Sequence, residues 1–226
     1  MRLMKALLIF LLFYFFQEIN YGQVYLAPNK QKPSHLIQAD SVFIYPKLLS
    51  ELRYASEDNF LQEKLYPQDP GVWLEKETAR ALRMVDGDLR NYGLRLLIWD
   101  AYRPYSVTQY LYENSPNKRY VADPRRGSVH NRGSAVDVTL TNLEGVPLEM
   151  PTDFDAFGLK ATPVYLGGSE VSRQNRNVLI RVMTHRGFKV NAGEWWHFEF
   201  KNAYQHSISD WRPWDGLLTP KIQFDN

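Results

Sequence analysis

Two short stretches carry the side chains best suited to chemistry. In Ser128-Val129-His130-Asn131-Arg132-Gly133-Ser134-Ala135-Val136-Asp137 an imidazole and a carboxylate stand on either side of a glycine. Much later, Glu194-Trp195-Trp196-His197 sets a second imidazole three residues after a carboxylate. His130, Asp137 and His197 together make two imidazoles and one carboxylate, the number of protein ligands with which a catalytic zinc site keeps a fourth position for water. Glu194, beside two tryptophans and a cation, would be equipped to take a proton from such a water. The chain has no cysteine, so a transition metal could be held only by imidazole and carboxylate.

These side chains need particular elements to carry them. Over residues 135–140 the apolar Val136, Val138 and Leu140 alternate with Ala135, Asp137 and Thr139, which predicts a strand with Asp137 facing away from the valines. Gly133 turns the chain before it and leaves His130 on a loop folded back over the strand. Glu194 and His197 would point to opposite faces of a regular strand, so a bulge or a hairpin loop must redirect Glu194. Residues 188–190 and 195–200 read as a hairpin turning at 191–193. A helix is predicted over 73–92, with Ala79, Leu82, Val85 and Leu89 inward and Gly93 as its stop. It leads into a buried strand at 94–99, then Arg103 at the mouth of the sheet, then a short helix at 106–114. Ser172 is the expected cap of another long helix that ends before Gly187. The proline-rich, glycine-containing stretch 141–170 should wall the site. Strands mixed with helices, without βαβ alternation, indicate an α+β single domain: a central, mostly antiparallel sheet with flanking helices and a zinc site at one end. His35, His185 and His206 have no carboxylate in metal-like company and read as surface residues.

Both zinc stretches resemble the signature of the D-alanyl-D-alanine dipeptidases, a branch of the zinc D,D-peptidases. Trp99-Asp100-Ala101-Tyr102-Arg103-Pro104 is similar to that family's Asp-x-Tyr-Arg-Pro box, and Leu52-Arg53-Tyr54-Ala55-Ser56-Glu57-Asp58-Asn59-Phe60 to its N-terminal box. The four boxes keep the family's order. The resemblance implies one Zn2+ per chain on His130, Asp137 and His197, with Glu194 as general acid and base. It also implies that Arg103 stabilises the oxyanion, although the residues alone also allow Arg103 to pair with Asp100 or Asp123 at the surface. Tyr54, Ser128 and Asp155 match positions that line the dipeptide pocket, the first and last near the substrate's ammonium, with Asp153 the rival to Asp155. The implied activity is hydrolysis of D-Ala-D-Ala in peptidoglycan metabolism. Two alternatives are a D,D-carboxypeptidase or endopeptidase on longer stems and a zinc-retaining module that binds a ligand without turnover. The second sits poorly with Glu194 and Arg103, since a structural site needs neither.

The remaining composition narrows partners and compartment. A chain of 226 residues with a formal net charge of +2 and no long basic run offers no footprint for nucleic acid. Arg2 and Lys5 precede an apolar run over residues 6–16 that is shorter than the about 20 residues a span requires. Residues 1–22 therefore read as a secretory signal peptide, with residues 23–226 as the zinc D,D-dipeptidase domain. The expected protein is periplasmic or secreted, with no stable membrane span after cleavage and a small D,D-dipeptide as partner. Residues 23–41, with Pro28 and Pro33, should form an extended arm.

Overall fold

The computed structural model describes residues 28–43 and 46–215. The expected signal peptide and the start of the arm lie outside them. Among these described residues, seven strands and three α-helices follow one another as β1 (Leu36–Gln38), β2 (Leu49–Ser50), β3 (Trp73–Glu75), α1 (Lys76–Arg90), β4 (Leu94–Asp100), α2 (Tyr105–Asn114), β5 (Ala135–Asn142), α3 (Glu170–His185), β6 (Phe188–Val190) and β7 (His197–Phe200). The main sheet has the order β2-β4-β5-β7-β6; β2 runs parallel to β4, and the other pairs are antiparallel. The architecture is thus α+β, with a mostly antiparallel central sheet.

The apolar face of β5 enters the core as its alternation predicts. Val136, Val138 and Leu140 are fully buried in one cluster with Leu82 and Leu89 of α1 and Leu179 of α3. Buried Asp86 ties α1 to the sheet by accepting from Arg95 Nε at 3.1 Å and Leu96 N at 3.0 Å.

Two helix starts differ from the sequence expectation. Residues 73–75 form β3 because they pair antiparallel with β1, Leu36 opposite Glu75, so α1 begins only at Lys76. Glu75 then caps the helix, accepting from Glu77 N and Thr78 N at 2.9 and 2.8 Å. The cap of α3 is Ser169 rather than Ser172, which is buried in the first turn and donates its own N–H to Ser169 Oγ at 2.9 Å. The described part of the arm is not a free extension: β1 lies on β3, and Leu36 and Ala39 are buried.

That small β1–β3 sheet also supports the loop that carries His130. Gly133, at φ +73°, accepts from Glu75 N at 2.8 Å through its carbonyl. A Cβ at Gly133 would collide with Leu36 and come within 2.8 Å of Glu75 N, so only glycine makes this turn against β1 and β3.

Candidate metal centre and active site

Strand register brings the acidic and imidazole groups into line. Asp100 at the end of β4 faces Asp137 on β5, and Asp137 faces His197, the first residue of β7. His130 arrives from a 3-10 turn, His130–Arg132, and is held from behind by its Nδ1 against Ala101 O at 2.6 Å. The ring therefore turns Nε2 toward the other two residues. His130 Nε2 lies 3.1 Å from His197 Nδ1 and 3.4 Å from Asp137 Oδ1, and His197 Nδ1 lies 3.0 Å from Asp137 Oδ1.

This triangle of donors fits a cation. Tetrahedral bonds of about 2.0–2.1 Å place neighbouring donor atoms roughly 3.3 Å apart. Two imidazoles and a carboxylate are also a donor set for a first-row divalent ion. All three residues are buried, and they form the one group of this kind among the described residues. Electrostatics mark the same need for positive charge. Burial opposes ionisation of Asp137, yet His130 and His197 outweigh it and hold the carboxyl well below the usual range. Burial likewise disfavours the His197 imidazolium, but Asp137 and Glu199 overcome it and raise the ring to about 10.

Glu194 lies in the connection between β6 and β7, outside either strand, with Oε2 3.9 Å from His197 Nδ1. The redirection that its spacing demanded is thus supplied by the hairpin loop. Trp195 and Trp196 beside it are fully buried and pack edge to face, and Trp195 N donates to Ala161 O at 2.8 Å. Burial raises the Glu194 carboxyl above its ordinary value, the direction that makes it a better proton acceptor.

Arg103 is buried, and its pairing is an interior one. Its Nε and Nη2 both meet Asp100 Oδ2 at 2.8 Å, Nη2 lies 3.6 Å from Asp137 Oδ2, and the guanidinium sits 4.9 Å from the centre of the Tyr54 ring. Asp100 is in turn fixed by Tyr66 OH at 2.9 Å. Asp123, the other partner that the sequence allows, pairs with Arg125 instead.

Tyr54, Ser128 and Asp155 line one cavity of about 300 Å³ with His130, Asp137, His197, Arg103 and Glu194. Tyr54 donates to Asp155 Oδ2 at 3.2 Å and Phe60 N to the same oxygen at 3.4 Å. Asp155 is held at φ +55°, while Asp153, its rival by sequence, is exposed and does not line the cavity. Burial and the nearby Asp137 push the Asp155 carboxyl up to about 8. Ser128 Oγ accepts from His130 N at 3.2 Å, so its hydroxyl also shapes the turn that carries His130.

Several cavity residues were not singled out from the sequence. Glu199 stands two residues after His197, hence on the same face of β7, and its Oε1 is 3.7 Å from His197 Nε2. Period two alone could have found it. Phe60, Tyr120 and Phe157 also line the cavity, from segments with no shared local pattern. His35 and His206, read as surface residues, are half-buried and stack with ring centres 3.8 Å apart.

A pre-assembled cation cage with a carboxylate of raised basicity and a fixed guanidinium beside it defines a metallopeptidase. The family model described as D-ala-D-ala dipeptidase, peptidase M15, matches residues 35–212, and the chain belongs to that family. It is 34% identical over 169 residues to the D-alanyl-D-alanine dipeptidase of Escherichia coli (strain K12), covering 75% of this chain and 87% of that one. The proteins of the same name from Enterococcus faecalis (strain ATCC 700802 / V583) and Enterococcus faecium are 28% and 29% identical, over 66% and 71% of this chain and 84% and 90% of theirs. No helix among the described residues is long and apolar enough to cross a membrane.

Proposed function

We propose that the chain is a zinc-dependent dipeptidase that hydrolyses D-Ala-D-Ala outside the cytoplasm, with one Zn2+ held by His130, Asp137 and His197. The observation that carries this reading is the joining, in one cavity, of the three-donor cage, the Glu194 carboxylate, the Arg103 guanidinium and the Tyr54–Asp155 pair. When bound, the ion would polarise the scissile carbonyl and acidify a water. Glu194 takes a proton from the attacking water and returns it to the departing amine. Arg103, locked on Asp100, presents its remaining N–H groups to the oxygen on which negative charge develops. Asp155, steadied by Tyr54, receives the substrate's free ammonium, whose positive charge favours the ionised carboxylate and offsets its burial. The names of the relatives support this substrate, and the signal-like run over residues 6–16 supports this compartment.

The test is metal analysis together with a panel of D-Ala-D-Ala, its N-terminally extended tripeptide and a muropeptide stem. The wild type should bind one zinc per chain and turn over the dipeptide. Glu194→Gln should keep the zinc and the affinity while losing about 10⁴-fold in turnover, the upper end for one group that acts as both base and acid. Turnover of the stem but not the dipeptide would replace this reading with a carboxypeptidase. Dipeptide binding without turnover in the wild type would replace it with a binding module.

A further inference from the structure

Three aromatic rings from separate parts of the chain meet in the lining of the cavity that Asp155 also lines. Phe60 follows the Tyr54 turn, Tyr120 ends the Lys118–Tyr120 turn, and Phe157 stands two residues beyond Asp155. The Tyr120 and Phe157 rings stack with centres 5.0 Å apart and planes 10° from parallel, and Phe60 and Phe157 meet at 5.3 Å and 55°. All three line the cavity that holds the metal cage. The stack is anchored to the ammonium site through the backbone, because Phe60 N donates to Asp155 Oδ2.

We propose that the Phe60–Phe157–Tyr120 ring cluster is the chain-length filter of this cavity: it closes the space beyond the substrate's first residue and so excludes peptides extended by a further amino acid at that end. The proposal rests on the dipeptidase reading and deepens it. In a D,D-dipeptide the amino end stops at Asp155, and nothing need pass the rings. In a longer stem the same nitrogen is an amide, and its acyl group must continue through the space they occupy. Two penalties then arise, and they are separable. Asp155 loses the charge it was placed to meet, and the extension collides with the stack. Acetylation alone imposes mainly the first, whereas a full amino-acid extension imposes both. In either substrate the reaction is the same: water adds its oxygen to the D-Ala carbonyl carbon, the C–N bond breaks, and the water proton passes to the leaving D-Ala nitrogen.

The experiment compares kcat/KM for D-Ala-D-Ala, N-acetyl-D-Ala-D-Ala and diacetyl-L-Lys-D-Ala-D-Ala in the metal-loaded wild type, Phe157→Ala, Phe157→Tyr and Tyr120→Ala. The ratio of tripeptide to dipeptide should rise roughly 10- to 100-fold in Phe157→Ala, the range set by fit to an apolar pocket. It should rise less in Tyr120→Ala and stay at the wild-type value in Phe157→Tyr, which keeps the ring. Tyr120 is 38% exposed, so its truncation leaves the core intact and keeps the test valid if Phe157→Ala folds poorly. A tripeptide-to-dipeptide ratio unmoved in the folded alanine variants overturns the filter and leaves the dipeptidase reading standing. The filter is equally overturned, and the dipeptidase reading again stands, if the wild type already cleaves the tripeptide as fast as the dipeptide. A wild type that turns over none of the three peptides sinks the dipeptidase reading, and the filter with it.

Discussion

The His130–Asp137–His197 cage and the Tyr54–Asp155 pair share one cavity but are held by different means. Asp137 and His197 are neighbours across a strand ladder that also includes Asp100, so backbone pairing sets their spacing before any side chain is chosen. Tyr54, Phe60, Asp155 and Phe157 lie outside the strands and depend on side-chain staples. Buried Asn59 is the clearest staple: its Nδ2 donates to Ser56 O at 2.9 Å and Glu63 O at 2.8 Å, closing the loop that presents Tyr54 and Phe60. The difference suits the two tasks. A cation tolerates little error in donor distance, and two of the three donors stand on strands, which hold side chains more precisely than loops do. The rings proposed to limit substrate length stand on loops, where single substitutions can reshape the pocket without disturbing the sheet.

Substitutions on the cage side should give the larger effects. His197→Ala removes one of three donors, so bound zinc measured after dialysis should fall to a small fraction of one per chain. Full occupancy would show that the cage is not where the ion sits. Arg103→Ala should cost about 10²- to 10³-fold in kcat, the worth of a lost oxyanion donor, across the whole pH range and with zinc retained. A loss confined to KM would move Arg103 from the reaction to substrate binding. Glu199→Ala should weaken zinc binding by about 10- to 100-fold in a chelator competition, because a carboxylate facing Nε2 keeps the proton there and leaves Nδ1 free for the ion. Glu199→Gln, which retains an acceptor oxygen, should recover part of that loss.

On the loop side the expected change is smaller and carries a pH signature. The Asp155 carboxyl rises to about 8 in the fold, so the folded chain holds a proton there that the unfolded chain releases near pH 4. The folded state then binds more protons than the unfolded one between those values, and this group costs stability progressively as pH rises through that window. In metal-free protein, Asp155→Asn should therefore melt higher than wild type at pH 8, by on the order of 1 kcal/mol after solvent screening. The gap should close toward pH 4. A gap that widened on acidification would reverse the sign and exclude burial as the cause.

Much of the cage was legible in the sequence because its cues are local. Alternation through Val136, Val138 and Leu140 fixed the face on which Asp137 stands, Gly133 marked the turn, and the spacing of Glu194 and His197 required a break that the β6–β7 connection provides. The same locality hid the rest. Residues 73–75 continue a helical pattern and become a strand only because β1, far earlier in the chain, pairs with them. Arg103 could equally have met Asp123; burial at the end of β4 and the hydroxyl of Tyr66 decided for Asp100. Phe60, Tyr120 and Phe157 carry no shared period, since rings that meet through folding obey no spacing along the chain. Residue types, short-range period and the family resemblance together pointed to the groups that could bind a metal and move a proton. Only strand pairing and loop closure decided which distant groups stand beside them, because those contacts depend on chain segments that the local pattern does not connect.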